Sequence, residues 1–446
     1  MDLVVFRGKP LMLLAVVAIA CGSCAKQGSK AGDATVLKAR LEIVAEQPPP
    51  PVICPEELVP FDELLSGFLT EHDVPGAALA VLRDDRLVCV KGFGYADRAQ
   101  QTPVTPTSAF RIASISKPIT ATAILKLVER GELGLGDRVY QLLDLERFAS
   151  KKTPPDPRLA RVTVRHLLHH SGGFDRDASF DPMFSPRKIA KALGIESPPG
   201  PWDIIRYMTR RRLDFDPGSK HVYSNYGYLL LGRVVERVTG VTYEQYVRDR
   251  VFAPIGVTGA RLGRTAEKNL RPDEVRYYDG RGLTVKSVLG ESRKMVPRPY
   301  GLWYLESMDA HGGWVASVVD LARFSASFAV PEESPLLTAA TIEQMYAPPP
   351  FVEVDERGRA KDAFYGFGWR VRHKRQGKAN VWHNGNLEGT STTMVRRHDG
   401  IAWIVLFNTD RTRDGTPLTK LIDGDLHKAA AAVTSWPEQD LFPLFD

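Results

Sequence analysis

A serine and a lysine spaced as Ser-x-x-Lys, Ser114 and Lys117 in Ser114-Ile115-Ser116-Lys117, open a stretch with helical periodicity. Residues three apart on a helix share a face about one turn apart, so the amine reaches the hydroxyl and is placed to accept its proton. Ser116 adjoins the lysine and points elsewhere. A second Ser-x-x-Lys stands at Ser185 and Lys188, and chance supplies about one such match in a chain of this length. Ser185 precedes Pro186 and reads as a helix N-cap with proline at the first helical position. The pair at Ser114 is singled out by its context: Phe110-Arg111-Ile112-Ala113 leads in and Pro118-Ile119-Thr120-Ala121 follows. Tyr223-Ser224-Asn225 lies after Asp216-Pro217-Gly218 and just before another helix. A phenol near a lysine can shuttle a proton, and an amide beside it can orient both the lysine and a substrate carbonyl. Taken alone, these residues read more simply as a buried tyrosine and an N-cap asparagine. His383-Asn384-Gly385 leads into strand-like sequence, and His311-Gly312-Gly313 is a competing His-x-Gly before Trp314 to Ala322, which reads as a loop entering a helix.

The elements around these groups follow from periodicity. Ala77 to Cys89 predicts a hairpin, with Asp84-Asp85 turning between two apolar runs. Ser114 to Arg130 predicts a helix through Ile115, Ile119, Ala123 and Leu127, stopped by Gly131. Further helices are expected over Val164 to His170, Pro201 to Arg212 and Tyr226 to Thr239, and strands over Thr392 to Val395 and Ile401 to Asn408 around Asp399-Gly400. Strands near both ends with helices between them predict an α/β (α+β) arrangement: one sheet built from N- and C-terminal segments, with a mainly helical lobe inserted at about residues 135–310.

The 446 residues are 43% hydrophobic and 25% charged, with 37 Gly, 32 Pro and 4 Cys, which excludes a disordered chain, a collagen and a disulfide scaffold. The net charge of +6 is dispersed, its densest run being Arg210-Arg211-Arg212, so nucleic acid is not an expected partner. No G-x-S-x-G, H-E-x-x-H, G-x-x-x-x-G-K or G-x-G-x-x-G occurs, which removes the main support for an α/β-hydrolase, a zinc protease of that type, a P-loop NTPase and a dinucleotide enzyme. The histidines lack ligand spacing with acidic or cysteine partners, so neither a metal nor another cofactor is expected.

Together, and in this order, the three motifs resemble the serine β-lactamase and penicillin-binding-protein family, on its class C and D-alanyl-D-alanine carboxypeptidase side. The resemblance covers nearly all of residues 60–410. It extends to His166-Leu167-Leu168-His169-His170-Ser171-Gly172-Gly173, to Tyr365-Gly366-Phe367-Gly368-Trp369, and to Gly312-Gly313 with Ser317 and Asp320-Leu321-Ala322-Arg323-Phe324. It implies a β-lactamase/transpeptidase-like fold and an acyl-enzyme hydrolase of an ester, amide or D-amino-acid peptide bond. In that scheme Ser114 is the acylated nucleophile and Lys117 its base or proton relay. Tyr223 activates Ser114 and later the deacylating water, and Asn225 holds Lys117 and the substrate amide. The backbone amides of Ser114 and Asn386 form the oxyanion hole. Lys117 and Tyr223 titrate as a pair, while His169 and His170 are structural. Family members acting on penicillins commonly carry Lys-Thr-Gly at the third motif. Here His383, Asn384 and Gly385 stand there, so carboxylate binding loses fixed charge at neutral pH and regains part of it as the imidazole protonates toward about pH 6. A penicillin-recognising sensor that stays acylated and a catalytically inactive surface protein are the alternatives within this fold.

Arg7 and Lys9 precede the uncharged stretch Leu11 to Ala20, which ends at Cys21. This is the basic, apolar, small-residue order of an export signal over residues 1–20, too short for the roughly 20 residues of a membrane span. Ala18-Ile19-Ala20-Cys21 resembles a bacterial lipobox with alanine in place of the usual leucine, which implies a lipid-anchored Cys21 and a cell-envelope location, or else simple secretion. Residues 21–55, with Pro48 to Pro51, read as an extended linker, 56–432 as the hydrolase domain and 433–446 as a tail. Cys21-Gly22-Ser23-Cys24 has no second pair to complete a zinc site, and Cys54 and Cys89 form either a disulfide or two separate thiols. A small molecule or peptide is the expected substrate, and the oligomeric state is left open.

Overall fold

The computed structural model describes residues 54–446 except 150–152, 291–293, 354, 356 and 375–377. The expected export signal, Cys21 and the Pro-rich stretch lie outside the described residues. Strands from both ends of the chain meet in one sheet. β1 (Gly76–Arg83), β2 (Arg86–Asp97) and β3 (Thr102–Pro103) come from the N-terminal part. β4 (Phe364–Tyr365), β5 (Arg370–His373), β6 (Ala379–Leu387), β7 (Thr390–Arg396) and β8 (Ile401–Phe407) come from the C-terminal part. The order is β3-β2-β1-β8-β7-β6-β5-β4, antiparallel throughout. The first hairpin thus closes onto the last strand, Ala77 opposite Phe407 and Arg83 opposite Ile401. Asp84-Asp85 makes the predicted turn, with Asp84 in the left-handed region (φ 59°) that aspartate tolerates better than most residues.

Both faces of the sheet are covered. In β1, Ala78, Ala80 and Leu82 enter one apolar cluster while Ala77, Leu79 and Val81 enter the other, which is why this strand reads as an unbroken apolar run. Five helices cover the sheet or carry site residues: α1 (Val59–Glu71), α2 (Ser116–Glu129), α3 (Asn225–Thr239), α4 (Val318–Ala326) and α5 (Leu418–Ala432). One face packs against α1 through Phe61, Leu65 and Phe68 and against α5 through Leu418, Ile422 and Leu426, each at helical spacing. The other face packs against α2 and α4. Ser116 to Leu125 are all buried, so α2 is enclosed on every side and forms the axis of the domain.

The described residues of 135–310 add no strand to the main sheet and supply short helices, among them Val164–Leu168 and Pro201–Thr209, each ending before its predicted limit. The first stops because His170 turns into the left-handed region (φ 56°). Trp314 to Ala322 differs from the expected loop: Trp314–Ala316 is a strand pairing with Phe110–Arg111 and Arg261–Leu262. Ser317 and Asp320 then cap α4 reciprocally, Asp320 N–H donating to Ser317 Oγ and Ser317 N–H to Asp320 Oδ2. Cys54 and Cys89 form a disulfide that ties the start of the described chain to β2. Residues 433–446 fold back on the same strand, where Leu441 N–H donates to the Leu87 carbonyl at 2.8 Å.

Candidate active site

The turn that carries Ser114 is held from three directions. Ile112 N–H donates to the Trp314 carbonyl at 2.9 Å, while the hydroxyls of Thr390 and Thr392 on β7 donate to the carbonyls of Arg111 and Ile112 at 2.8 and 3.0 Å. The fully buried Arg111 donates to the carbonyls of Pro299 and Arg264, both at 2.7 Å, and lies 4.2 Å from the Tyr277 ring centre. These ties hold Ala113 in the left-handed region (φ 46°), a conformation that costs a residue with a Cβ roughly 1–3 kcal/mol. Ser114 stands in a single 3-10 turn, Ala113–Ile115, ahead of α2 rather than inside it as predicted. Pro118 fits the first turn of α2, where an amide hydrogen would have no helical partner.

The three-residue spacing works across this junction: Lys117 Nζ is 3.0 Å from Ser114 Oγ. It also lies 2.9 Å from Asn225 Oδ1 and 2.9 Å from the His311 carbonyl oxygen, and among the described residues no carboxylate touches it. Burial holds the Lys117 amine well below its ordinary pKa, with Arg176 assisting and Asp181 opposing. A neutral amine has two hydrogens and one lone pair. With the hydrogens directed to Asn225 and His311, the lone pair faces the Ser114 hydroxyl proton, the geometry a general base needs. The competing serines stand in other settings, Ser185 at the N-cap position of the helix Pro186–Leu193. Ser116 is fully buried and accepts from Trp314 N–H at 3.4 Å, and the Lys188 amine lies 4.0 Å from the Phe180 ring centre.

Ser224, not Asn225, caps α3, its Oγ accepting from Gly227 N–H. Asn225 is freed to project its amide: Oδ1 accepts from Lys117, and Nδ2 donates to Asp181 Oδ2 at 2.7 Å. Asp181 is the N-cap of the 3-10 turn Pro182–Phe184, and burial pushes its carboxyl up. The Tyr223 ring lies 4.7 Å from Lys117 Nζ, and burial pushes the phenol up while its contact with Ser114 opposes the shift. His170 packs its ring 4.3 Å from that of Tyr223, and its Nδ1 accepts from Ser224 N–H, so the imidazole is neutral with its proton on Nε2. His169, also buried, pairs Nδ1 with the Tyr365 carbonyl at 3.0 Å.

The third motif divides between the two faces of β6. His383, Gly385 and Leu387 are buried and Asn384 and Asn386 exposed. A methyl group on Gly385 would come within 2.5 Å of the Ile112 carbonyl oxygen and 3.0 Å of Ala113 Cβ, so glycine here lets the Ser114 turn press against the strand. Asn384 turns away: its Oδ1 accepts from Thr393 Oγ1, and it borders a cavity with Trp382, Asp423 and His427 on the α5 side. Its side chain is therefore not part of the Ser114 face, contrary to the expectation of a substrate contact. Asn386 donates from Nδ2 to the Asp410 carbonyl. His383 bonds through Nε2 to the Tyr365 hydroxyl at 2.9 Å and through Nδ1 to the Asn384 carbonyl at 2.8 Å. Burial pushes its pKa down to about 3, so the charge expected toward pH 6 does not develop. β5 pairs with β6 only from Ala379 to Trp382, leaving the edge of His383–Leu387 without a strand partner.

Sequence reasoning misses three contributors. The His311 carbonyl acts through the backbone, Asp181 acts through Asn225, and Tyr365 fixes His383 and borders Tyr223. Tyr365 has a signal, since it opens the Tyr-Gly-Phe-Gly-Trp segment. Among the described residues no group of His, Cys, Asp and Glu side chains is arranged to hold a metal.

An antiparallel sheet with a helical lobe and a Ser-x-x-Lys turn between them defines the β-lactamase/transpeptidase-like fold. The family described as Beta-lactamase matches residues 61–425, and the chain belongs to that family. A penicillin-binding protein of Bacillus subtilis (strain 168) is 28% identical over 74% of this chain and 66% of its own length. The chain thus spans just under two thirds of that relative. Among solved structures, the octameric penicillin-binding protein homologue from Pyrococcus abyssi is 27% identical with a TM-score of 0.59, covering 81% of this chain and 76% of that one. The D-amino acid amidase from Ochrobactrum anthropi SV3, 22% identical with a TM-score of 0.61 over 83% of this chain and 98% of its own, shares the fold.

The buried histidines set an acid limit. His169 is held at about 4 and His221 and His383 at about 3, each by burial. The unfolded chain protonates them near the ordinary value of about 6.5 and the folded chain does not, so stability is complete above that pH and is lost as pH falls toward about 4. The slope is roughly 1.4 kcal/mol per pH unit for each histidine. Thermal unfolding followed from pH 7 to 4.5 should show a steadily falling midpoint that His221→Gln makes shallower; a flat profile contradicts neutral burial.

Proposed function

We propose that the chain is an exported serine hydrolase that opens an ester, amide or D-amino-acid peptide bond through an acyl-enzyme on Ser114. One observation carries the reading: a buried Lys117 amine whose neighbours are two carbonyl oxygens and the Ser114 hydroxyl. In acylation Ser114 Oγ bonds to the substrate carbonyl carbon as its proton passes to Lys117. Tyr223, kept as a phenol by burial, hands a proton to the leaving group and is replenished from Lys117. The amides of Ser114 and Asn386 stabilise the oxyanion, and Asn225 orients both Lys117 and the substrate carbonyl. Water then attacks the acyl carbon by the reverse proton route and frees Ser114. The names of the relatives, a penicillin-binding protein and an amidase for D-amino acids, support acyl substrates of this class.

Export rests on residues 1–21, with a lipid on Cys21 as the anchor. Among the described residues no helix is long and apolar enough to cross a membrane. The mature protein should begin at Cys21 and partition into detergent; a soluble form cleaved elsewhere rejects the anchor.

A fluorophosphonate or penicillin probe read by intact mass should add once, at Ser114, and Ser114→Ala should abolish the adduct. Lys117→Ala should slow acylation by at least about a hundredfold. Adducts on Ser116 or Ser185, or near-normal acylation of folded Lys117→Ala, overturn the assignment. Turnover of p-nitrophenyl esters, D-Ala-D-Ala peptides or nitrocefin supports a hydrolase, whereas a penicillin adduct that persists without turnover identifies a sensor.

A further inference from the structure

Three cationic side chains lie around the Ser114 site, and two are already engaged. The Lys117 amine is surrounded by its three oxygen neighbours. Arg370 pairs with Glu353 at 3.1 Å, and Glu353 is further fixed by Tyr365 N–H at 2.7 Å. His383 carries no charge at neutral pH, so the third motif brings no cation to the site. Arg176 differs. Its guanidinium carbon lies 5.1 Å from the Tyr223 ring centre, close enough to act on Lys117, Tyr223 and Asp181. Among the described residues it donates no hydrogen bond within the chain. Its ion pair is a loose 3.8 Å approach of Nε to Asp177, whose own side chain is 87% exposed. The nearby acids are engaged elsewhere: Asp175 accepts from the amides of Asp177 and Ala178, Asp214 from Asp175 N–H and Ser179, and Asp181 from Asn225 and Met183.

We propose that Arg176 is an anion-recognising subsite on the Tyr223 side of Ser114, selecting acyl substrates that carry a carboxylate near the scissile bond. The inference rests on the acyl-enzyme reading and adds the substrate's charge to it. A half-exposed guanidinium leaning on an aromatic face keeps its outer N–H groups free for a planar, bidentate carboxylate. This places the charge recognition on the helical lobe instead of on β6, where His383 is sealed by Tyr365.

The test compares p-nitrophenyl hydrogen succinate with p-nitrophenyl butyrate, an anionic and a neutral ester of equal chain length, on the parent protein, Arg176→Gln and Arg176→Lys. The ratio of kcat/KM values for the pair cancels any effect of Arg176 on Lys117, which both esters share. That ratio should fall at least about tenfold in Arg176→Gln, within the range of a lost charged hydrogen bond, and recover only in part in Arg176→Lys, which keeps the charge and loses the bidentate fork. In the parent protein it should also fall as ionic strength rises. A ratio unchanged by both variants, with Ser114 still labelled by a fluorophosphonate, overturns the subsite and leaves the acyl-enzyme reading standing. Absence of labelling on the parent protein overturns the acyl-enzyme reading and the subsite with it.

Discussion

Burying a lysine amine away from any carboxylate in contact is the constraint on which the rest of this structure depends. A charged ammonium in such a place carries a desolvation cost of several kcal/mol, and the group escapes it by releasing its proton. Among the described residues nothing in contact with Lys117 carries a formal charge. Asn225 and the His311 backbone offer oxygens without charge, and the rings of Tyr223 and Tyr228 close the remaining sides. Formal charges stand one layer back. Asp181 is reached through the Asn225 amide, and Arg370 is matched by Glu353. Burial thus moves the amine down and the neighbouring phenol up, with the amine 4.7 Å from the phenol's ring centre.

The fold serves this arrangement by fixing one short turn between the sheet and the helical lobe. β6 and β7 lie on one side of it, and the lobe segment around Arg264 to Trp314 on the other. Arg111 joins the lobe carbonyls to the start of the turn, while Thr390 and Thr392 join the sheet to its carbonyls. The left-handed Ala113 is a consequence: with its neighbours tied on both sides, the backbone reverses in a single residue and delivers Ser114 to the cleft. Gly385 completes the fit because any larger residue would lift the turn from the strand.

Much of this is legible in the sequence because local rules carry it. Ser114 and Lys117 are three residues apart, so their contact needs little from the distant chain. The β1 apolar run and the Asp84-Asp85 turn likewise depend on neighbours. The features that sequence reasoning misses depend on tertiary placement. Asp181 matters only because α3 brings Asn225 beside it, and His311 contributes a carbonyl, which has no sequence signature. His383 is recognisable as a residue but not in its charge state, since burial against Tyr365 sets that state. Asn384 falls on the face opposite to the expected one because strand alternation places it away from His383 only once the inward face of β6 is known.

The central claim is that Lys117 is a neutral amine in the resting protein. Selective isotopic labelling of lysine side chains, with the Lys117 signal assigned by its loss in Lys117→Arg, allows its titration to be followed directly by NMR. A neutral amine predicts a Lys117 resonance that titrates well below the ordinary lysine value of about 10.4, in a curve that changes when Tyr223 is replaced by Phe. A Lys117 signal that titrates with the surface lysines would mean that the amine is charged at neutral pH, and the proton from Ser114 would then need another acceptor.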